Sequence, residues 1–200
     1  MVATSAGYFG PKGRGKTALA LHHIRTHKRV ILYDLKCHSL PEAGAEVIDC
    51  EGRLFDRLRA AGDSQPFRIC WRGFLTMGPE DGFAWANECA WALGNLTILW
   101  DEVDLLTKGH LRGKAEYIAN MQTGKDIALA FTARRPAHVP RSLTANADRL
   151  CAFRTNEDRD VAYLAEFMET QKSNFRALAD RHALDWHDGQ GAAVKKSYFP

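Results

Sequence analysis

Gly10-Pro11-Lys12-Gly13-Arg14-Gly15-Lys16-Thr17 decides the reading of this chain. The stretch fits G-x-x-x-x-G-K-[ST], and the spacing has a chemical reason. To hold a row of phosphates, successive backbone N–H groups must turn inward between a strand end and a helix start. Glycines at 10, 13 and 15 permit the dihedrals such a wrap needs. Lys16 then reaches the β and γ phosphates as a point charge, and the Thr17 hydroxyl fills one position around an octahedral Mg2+. The expected contacts of a bound nucleotide are therefore Gly10, Pro11, Lys12, Gly13, Arg14, Gly15, Lys16, Thr17 and Ala18.

The flanks fit the loop. Residues 2–9 form a short run that reads as the strand feeding it, and residues 16 to about 27 carry Leu19, Ala20 and Ile24 at helical spacing. Residues 29–34, Arg-Val-Ile-Leu-Tyr-Asp, read as a buried strand closed by an acid. Asp34 either lies at the edge of a site, since ligands of open α/β sheets collect at the strands' carboxyl ends, or caps the next turn.

A second stretch, Leu96-Thr97-Ile98-Leu99-Trp100-Asp101-Glu102, is an apolar strand ending in two acids. This is the form of a Walker B element: Asp101 would hold Mg2+ through water, and Glu102 would polarise the water that attacks the γ-phosphate. The second acid separates reaction classes. A phosphotransferase must keep water out, whereas a water-activating glutamate suits hydrolysis. Further on, residues 126–132 read as a strand whose last residue, Thr132, would sense the γ-phosphate. Arg134 and Arg135 follow it, as charge for a transition state or as a solvated basic turn.

Composition bounds the rest. Two hundred residues with 46% hydrophobic content suit one ordinary domain, and a net charge of +3 leaves any nucleic-acid contact to a local patch. Five cysteines (Cys37, Cys50, Cys70, Cys89 and Cys151) form no C-x-x-C pair and read as reduced thiols of an intracellular protein. His22-His23 and Cys37-His38 lack the second ligand pair of a zinc site. A signal peptide and a membrane-spanning run are not expected.

Short strands are expected at 46–49 and 67–71, and helices at 52–61 and from 79 to about 94. The last of these is apolar nearly all round, which implies deep burial or a shared interface. Residues 103–122 read as loop then helix, with Lys108, His110, Arg112 and Lys114 as a basic run. A last strand is expected at 149–154 and a helix from 157 to about 168. Residues 1–172 form the expected core. Residues 173–200 read as a short helix and a poorly patterned tail, docked or mobile, in which Lys195 to Phe199 would meet a neighbour.

Taken together, the loop, Tyr33-Asp34-Leu35-Lys36, Leu99-Trp100-Asp101-Glu102, Phe131-Thr132-Ala133-Arg134-Arg135-Pro136 with Val139-Pro140, and Asp148-Arg149-Leu150-Cys151-Ala152-Phe153-Arg154 resemble the FtsK–HerA superfamily of DNA-pumping ATPases. At this length the chain is similar to the genome-packaging ATPases of tailless, membrane-containing viruses. It also resembles the zonular-occludens-toxin-like assembly ATPases, which usually carry a membrane segment. The resemblance implies an α/β fold of the RecA-like (ASCE) P-loop NTPase kind, with a mostly parallel sheet flanked by helices. It implies ATP and Mg2+ at Lys16, Thr17, Asp101 and Glu102, and a homo-oligomeric ring, a hexamer, around double-stranded DNA. An arginine would reach across each interface; Arg112, Arg134 and Arg135 are the candidates. Thr132 stands where the family often has glutamine. Capsid-vertex or membrane proteins would be partners, and the host cytoplasm or the virion the location.

Two other classes stay open. A small-molecule or nucleotide kinase would use Arg134 and Arg135 as lid arginines, and a nucleotide-gated binding protein would scarcely turn over. Glu102 speaks against both.

Overall fold

Continuous apolar runs become the strands of a sheet buried on both faces. In the computed structural model, which describes residues 4–35, 44–190 and 193–198, the runs Leu96–Trp100 and Ile127–Ala133 are buried at every position. In chain order the strands are β1 Ser5–Phe9, β2 Arg29–Tyr33, β3 Glu46–Ile48, β4 Phe67–Trp71, β5 Leu96–Trp100, β6 Ile127–Ala133, β7 Arg149–Phe153, β8 His182–His187 and β9 Val194–Ser197. They form one sheet in the order β3-β4-β2-β5-β6-β1-β7-β8-β9. The first seven run parallel; β8 and β9 extend the edge antiparallel.

The helices are α1 Lys16–His23, α2 Glu51–Ala61, α3 Phe74–Met77, α4 Pro79–Leu93, α5 Val103–Thr107, α6 Lys114–Met121, α7 Arg141–Ala145, α8 Asp158–Phe167 and α9 Lys172–Arg176. Alternate strand residues feed two cores, as the period of two requires. Ile31 and Tyr33 join Leu54, Phe83, Ile118, Val161 and Phe175 on the face covered by α2, α4, α6, α8 and α9. Val30 and Leu32 join Leu19, Ala20 and Ile24 beneath α1. The fold is the α/β, mostly parallel, helix-flanked sheet expected from the sequence.

Several local expectations are corrected. Helix α1 stops at His23, not His27, because Ile24 leaves helical geometry (φ −94°, ψ 9°) and Arg68 donates to the carbonyls of Ile24 and His27 at 3.4 and 2.8 Å. Helix α5 follows Glu102 directly, where a loop was expected, and α3 was not anticipated. The poorly patterned tail contains β8 and β9, paired on the chain's own sheet. Helix α4 is not buried all round: Phe83, Ala86, Asn87 and Ala90 face the core, while Trp85, Cys89 and Trp91 are half-buried. The buried Asp34 carboxylate takes Arg72 at 3.0 Å. Cys37-His38, Lys36 and Phe199 lie outside the described residues.

Candidate nucleotide-binding site

The sheet order puts β6 between the strand that feeds the loop and the strand that ends in acids. Register then levels their ends: Tyr8 lies opposite Thr132, Phe9 opposite Ala133, and Trp100 opposite Phe131. Gly10, Thr132 and Asp101 therefore arrive together at the carboxyl edge of the sheet, where open α/β sheets bind ligands. The Gly10 N–H bonds the Ala133 carbonyl at 3.2 Å, which moors the start of the loop. Gly13 (φ 80°) and Gly15 (φ 99°) hold left-handed dihedrals that a side chain would strain, and α1 begins at Lys16.

Five of the expected residues lock together. The Thr17 hydroxyl donates to Asp101 Oδ1 at 2.9 Å, and the Thr132 hydroxyl donates to the same oxygen at 2.8 Å. Thr132 Oγ1 also accepts the Glu102 N–H at 2.8 Å. Its one donor is thus committed to Asp101, and the hydroxyl braces the acid pair. Lys16 Nζ lies 3.1 Å from Glu102 Oε1, with both side chains buried. Burial pushes the Asp101 carboxyl above its usual range, against the two hydroxyl bonds that lower it.

The arginines divide. Arg134 pairs with Glu102, whereas Arg135 turns to α8, 2.9 Å from Asp160 and 3.4 Å from Glu157. Arg112 stands apart from both, exposed in the α5–α6 connection beside a recess shared with Glu80, Lys108 and His110. Of the loop residues, Pro11, Lys12 and Ala18 are exposed, and Arg14 leans to Asp180. A cavity of about 500 Å³ opens between Lys12, Arg14, Asp104, Arg134 and Arg154.

Asp104 was missed. Its buried carboxylate accepts the backbone N–H groups of Arg134 and Arg135, each at 3.2 Å, and so clamps the end of β6 to α5. Burial raises its carboxyl, and those two bonds oppose the rise. The sequence offered no signal for it, because the stretch that forms α5 was read as loop.

Thr17 and Asp101 fit Mg2+ bound to a nucleotide. This ion takes one or two protein oxygens and otherwise phosphates and water. A cage of three or more His, Cys, Asp or Glu side chains is not found among the described residues.

Fold and site together define a P-loop NTPase fold in which two buried acids stand beside the loop lysine and threonine. No protein-family model and no curated protein matches the sequence. Among solved structures the chain is similar to the genome packaging NTPase B204 from Sulfolobus turreted icosahedral virus 2, in complex with sulfate. The two share 13% identity over 100% of this chain and 98% of that one, with a TM-score of 0.78. B204 has also been solved with AMPPCP, AMP and ATP-gammaS. VirB4 of Thermoanaerobacter pseudethanolicus matches at 10% identity over 98% of this chain and 90% of that one, TM-score 0.69. The N-terminal domain of zonular occludens toxin from Neisseria meningitidis matches at 12% identity over 100% and 95%, TM-score 0.54. The fold is the one the superfamily resemblance implied.

Proposed function

We propose that this protein hydrolyses ATP and uses the energy to pump double-stranded DNA, as a viral genome-packaging ATPase. The observation that carries the reading is Glu102: a buried carboxylate beside the P-loop lysine, one residue past the acid that faces Thr17. In this reading Lys16 and the loop N–H groups hold the triphosphate, and Glu102 orients the attacking water and accepts its proton. Mg2+, held by Thr17 and through Asp101, neutralises phosphate charge when bound. Thr132 keeps the acid pair in place.

The higher TM-score against B204, 0.78 compared with 0.54 for the toxin domain at similar coverage, supports packaging over the toxin-type assembly reading. The phosphotransferase reading needs Arg134 and Arg135 on a mobile lid, but the backbone of both is clamped by Asp104. We take the working form to be a homo-oligomeric ring, a hexamer, in the host cytoplasm or on the virion, with capsid-vertex or membrane proteins as further partners. Arg112, exposed in the α5–α6 connection, is the finger candidate that suits an interface. Among the described residues no helix is long and apolar enough to cross a membrane.

The test is ATP turnover with and without duplex DNA for wild type and Glu102→Gln. Wild type should hydrolyse ATP faster with DNA, and the variant should bind ATP without turning it over. Absence of wild-type hydrolysis under both conditions rejects the proposal.

A further inference from the structure

Glu102 stands between two cations. Lys16 Nζ approaches Oε1 at 3.1 Å and the Arg134 Nε pairs with Oε2, while the glutamate side chain is only 3% exposed. The cations differ in what can remove them. A triphosphate outcompetes one carboxylate for Lys16, which the loop already aims at the phosphates. Arg134 is held twice over. Its side chain grips Glu102, and its backbone N–H is bound by Asp104. Asp104 lies on α5, the short helix that Glu102 itself caps. Both ends of Arg134 therefore bind one three-residue stretch, and only a shift of α5 against β6 loosens them together.

The backbone adds to the arrangement. Glu102 has φ 57° and ψ 48°, a left-handed conformation that a non-glycine residue keeps only where its surroundings impose it. The Thr132 hydroxyl, accepting the Glu102 N–H, supplies part of that constraint.

We propose that Arg134 is a latch on Glu102 within the same subunit, and not an arginine finger. Once nucleotide has drawn Lys16 away, Arg134 still occupies the carboxylate, which is then a poor acceptor for a water proton. Release of the latch frees Glu102 for the water. Arg134 is thus a positioning residue that keeps turnover low in the idle protein. The inference rests on Glu102 being the water-orienting group of the proposed ATPase.

The sign of one substitution separates latch from finger. Steady-state ATP turnover without DNA, and equilibrium binding of a fluorescent ATP analogue, are measured on the full chain for wild type, Arg134→Ala, Arg134→Gln and Arg134→Lys. The latch requires kcat to rise about threefold or more in the alanine variant, with KM and analogue affinity within about twofold, and to return toward wild type with lysine. The glutamine variant, which keeps length without charge, carries the same expectation if the alanine protein does not fold. DNA-stimulated wild-type hydrolysis with an unraised or lowered kcat in both neutral variants sinks the latch and leaves the ATPase reading standing. No hydrolysis by wild type or any variant, despite analogue binding, sinks the ATPase reading and the latch with it.

Discussion

Thr132 and Asp101 are joined by a 2.8 Å hydrogen bond at 0% and 5% exposure, and the same hydroxyl receives the Glu102 N–H. One oxygen on β6 thereby fixes both acids at the end of β5. Thr132→Val keeps the shape and removes both bonds, stranding the Glu102 N–H and leaving Asp101 Oδ1 with the Thr17 hydroxyl alone. At about 1–3 kcal/mol for a buried polar group so stranded, the melting temperature should fall by roughly 3–10 °C. ATP turnover should drop about tenfold or more. Thr132→Ser, which keeps the hydroxyl, should remain close to wild type in both measurements.

Arg135 and Arg112 should fail in opposite ways. Arg135 neutralises Asp160, a 2% exposed carboxylate that also accepts the Ala137 N–H at 3.1 Å. Because the arginine itself is 45% exposed, its loss should cost on the order of 1 kcal/mol and leave turnover per folded molecule intact. Arg112 is exposed on the connection between α5 and α6, so Arg112→Ala should melt with wild type. If it is the finger, the variant binds ATP, does not hydrolyse it, and lowers the rate of mixed assemblies below the wild-type share. Mixed-assembly rates that simply track the wild-type fraction exclude it.

The edge extension β8–β9 hangs on Asp185. Its side chain is 0% exposed and takes Arg149 at 2.8 and 3.0 Å, with Lys196 on a further bond. Burial alone would raise this carboxyl, and the bonds from Arg149, Lys196 and Tyr198 overcome it and hold it well below the usual carboxylate range. Asp185→Asn leaves Arg149 half-buried without its counter-charge. We expect a loss of about 2–4 kcal/mol in urea unfolding. Amide exchange should rise first in 182–187 and 194–197. Uniform exchange across the sheet would show that Asp185 does not hold this edge locally.

Legibility followed the range of the interactions. The phosphate loop was readable because its cause is local: glycine dihedrals and a lysine at a helix start. The strands Phe67–Trp71 and Leu96–Trp100 were readable because parallel strands buried on both faces read as near-continuous apolar runs, here interrupted only by Arg68 and Thr97. The stretch His182–His187 carries an aspartate and two histidines and does not look like a strand. What makes it one is a partner contributed from β7, Arg149, whose guanidinium lets an acid sit in the sheet. Asp104 was equally opaque, since its two acceptor bonds go to residues about thirty positions away. The roles of Arg112, Arg134 and Arg135 could not be separated by spacing, because that depends on which acid each one finds.

His23 gives a pH dependence whose sign can be worked out. Its Nδ1 lies 2.9 Å from the Tyr8 hydroxyl, and Tyr198 stacks edge-on at 5.8 Å. Burial lowers its pKa to about 4, helped by Arg149, His22 and Arg25 and opposed by Asp185. In the unfolded chain the ring titrates near about 6.5. Between those values the unfolded chain holds the extra proton, so stability is complete above about 6.5 and declines as the pH falls toward 4. With the ring half-buried, the loss should be on the order of 1–2 kcal/mol. His27, also lowered by burial and bonded to Thr97 at 2.7 Å, adds a loss of the same sign. Urea unfolding near pH 7.5, 5.5 and 4.5 should therefore show a steeper decline in wild type than in His23→Gln, which can still bond Tyr8. Equal slopes would mean that the ring gains its proton in the folded protein at no cost.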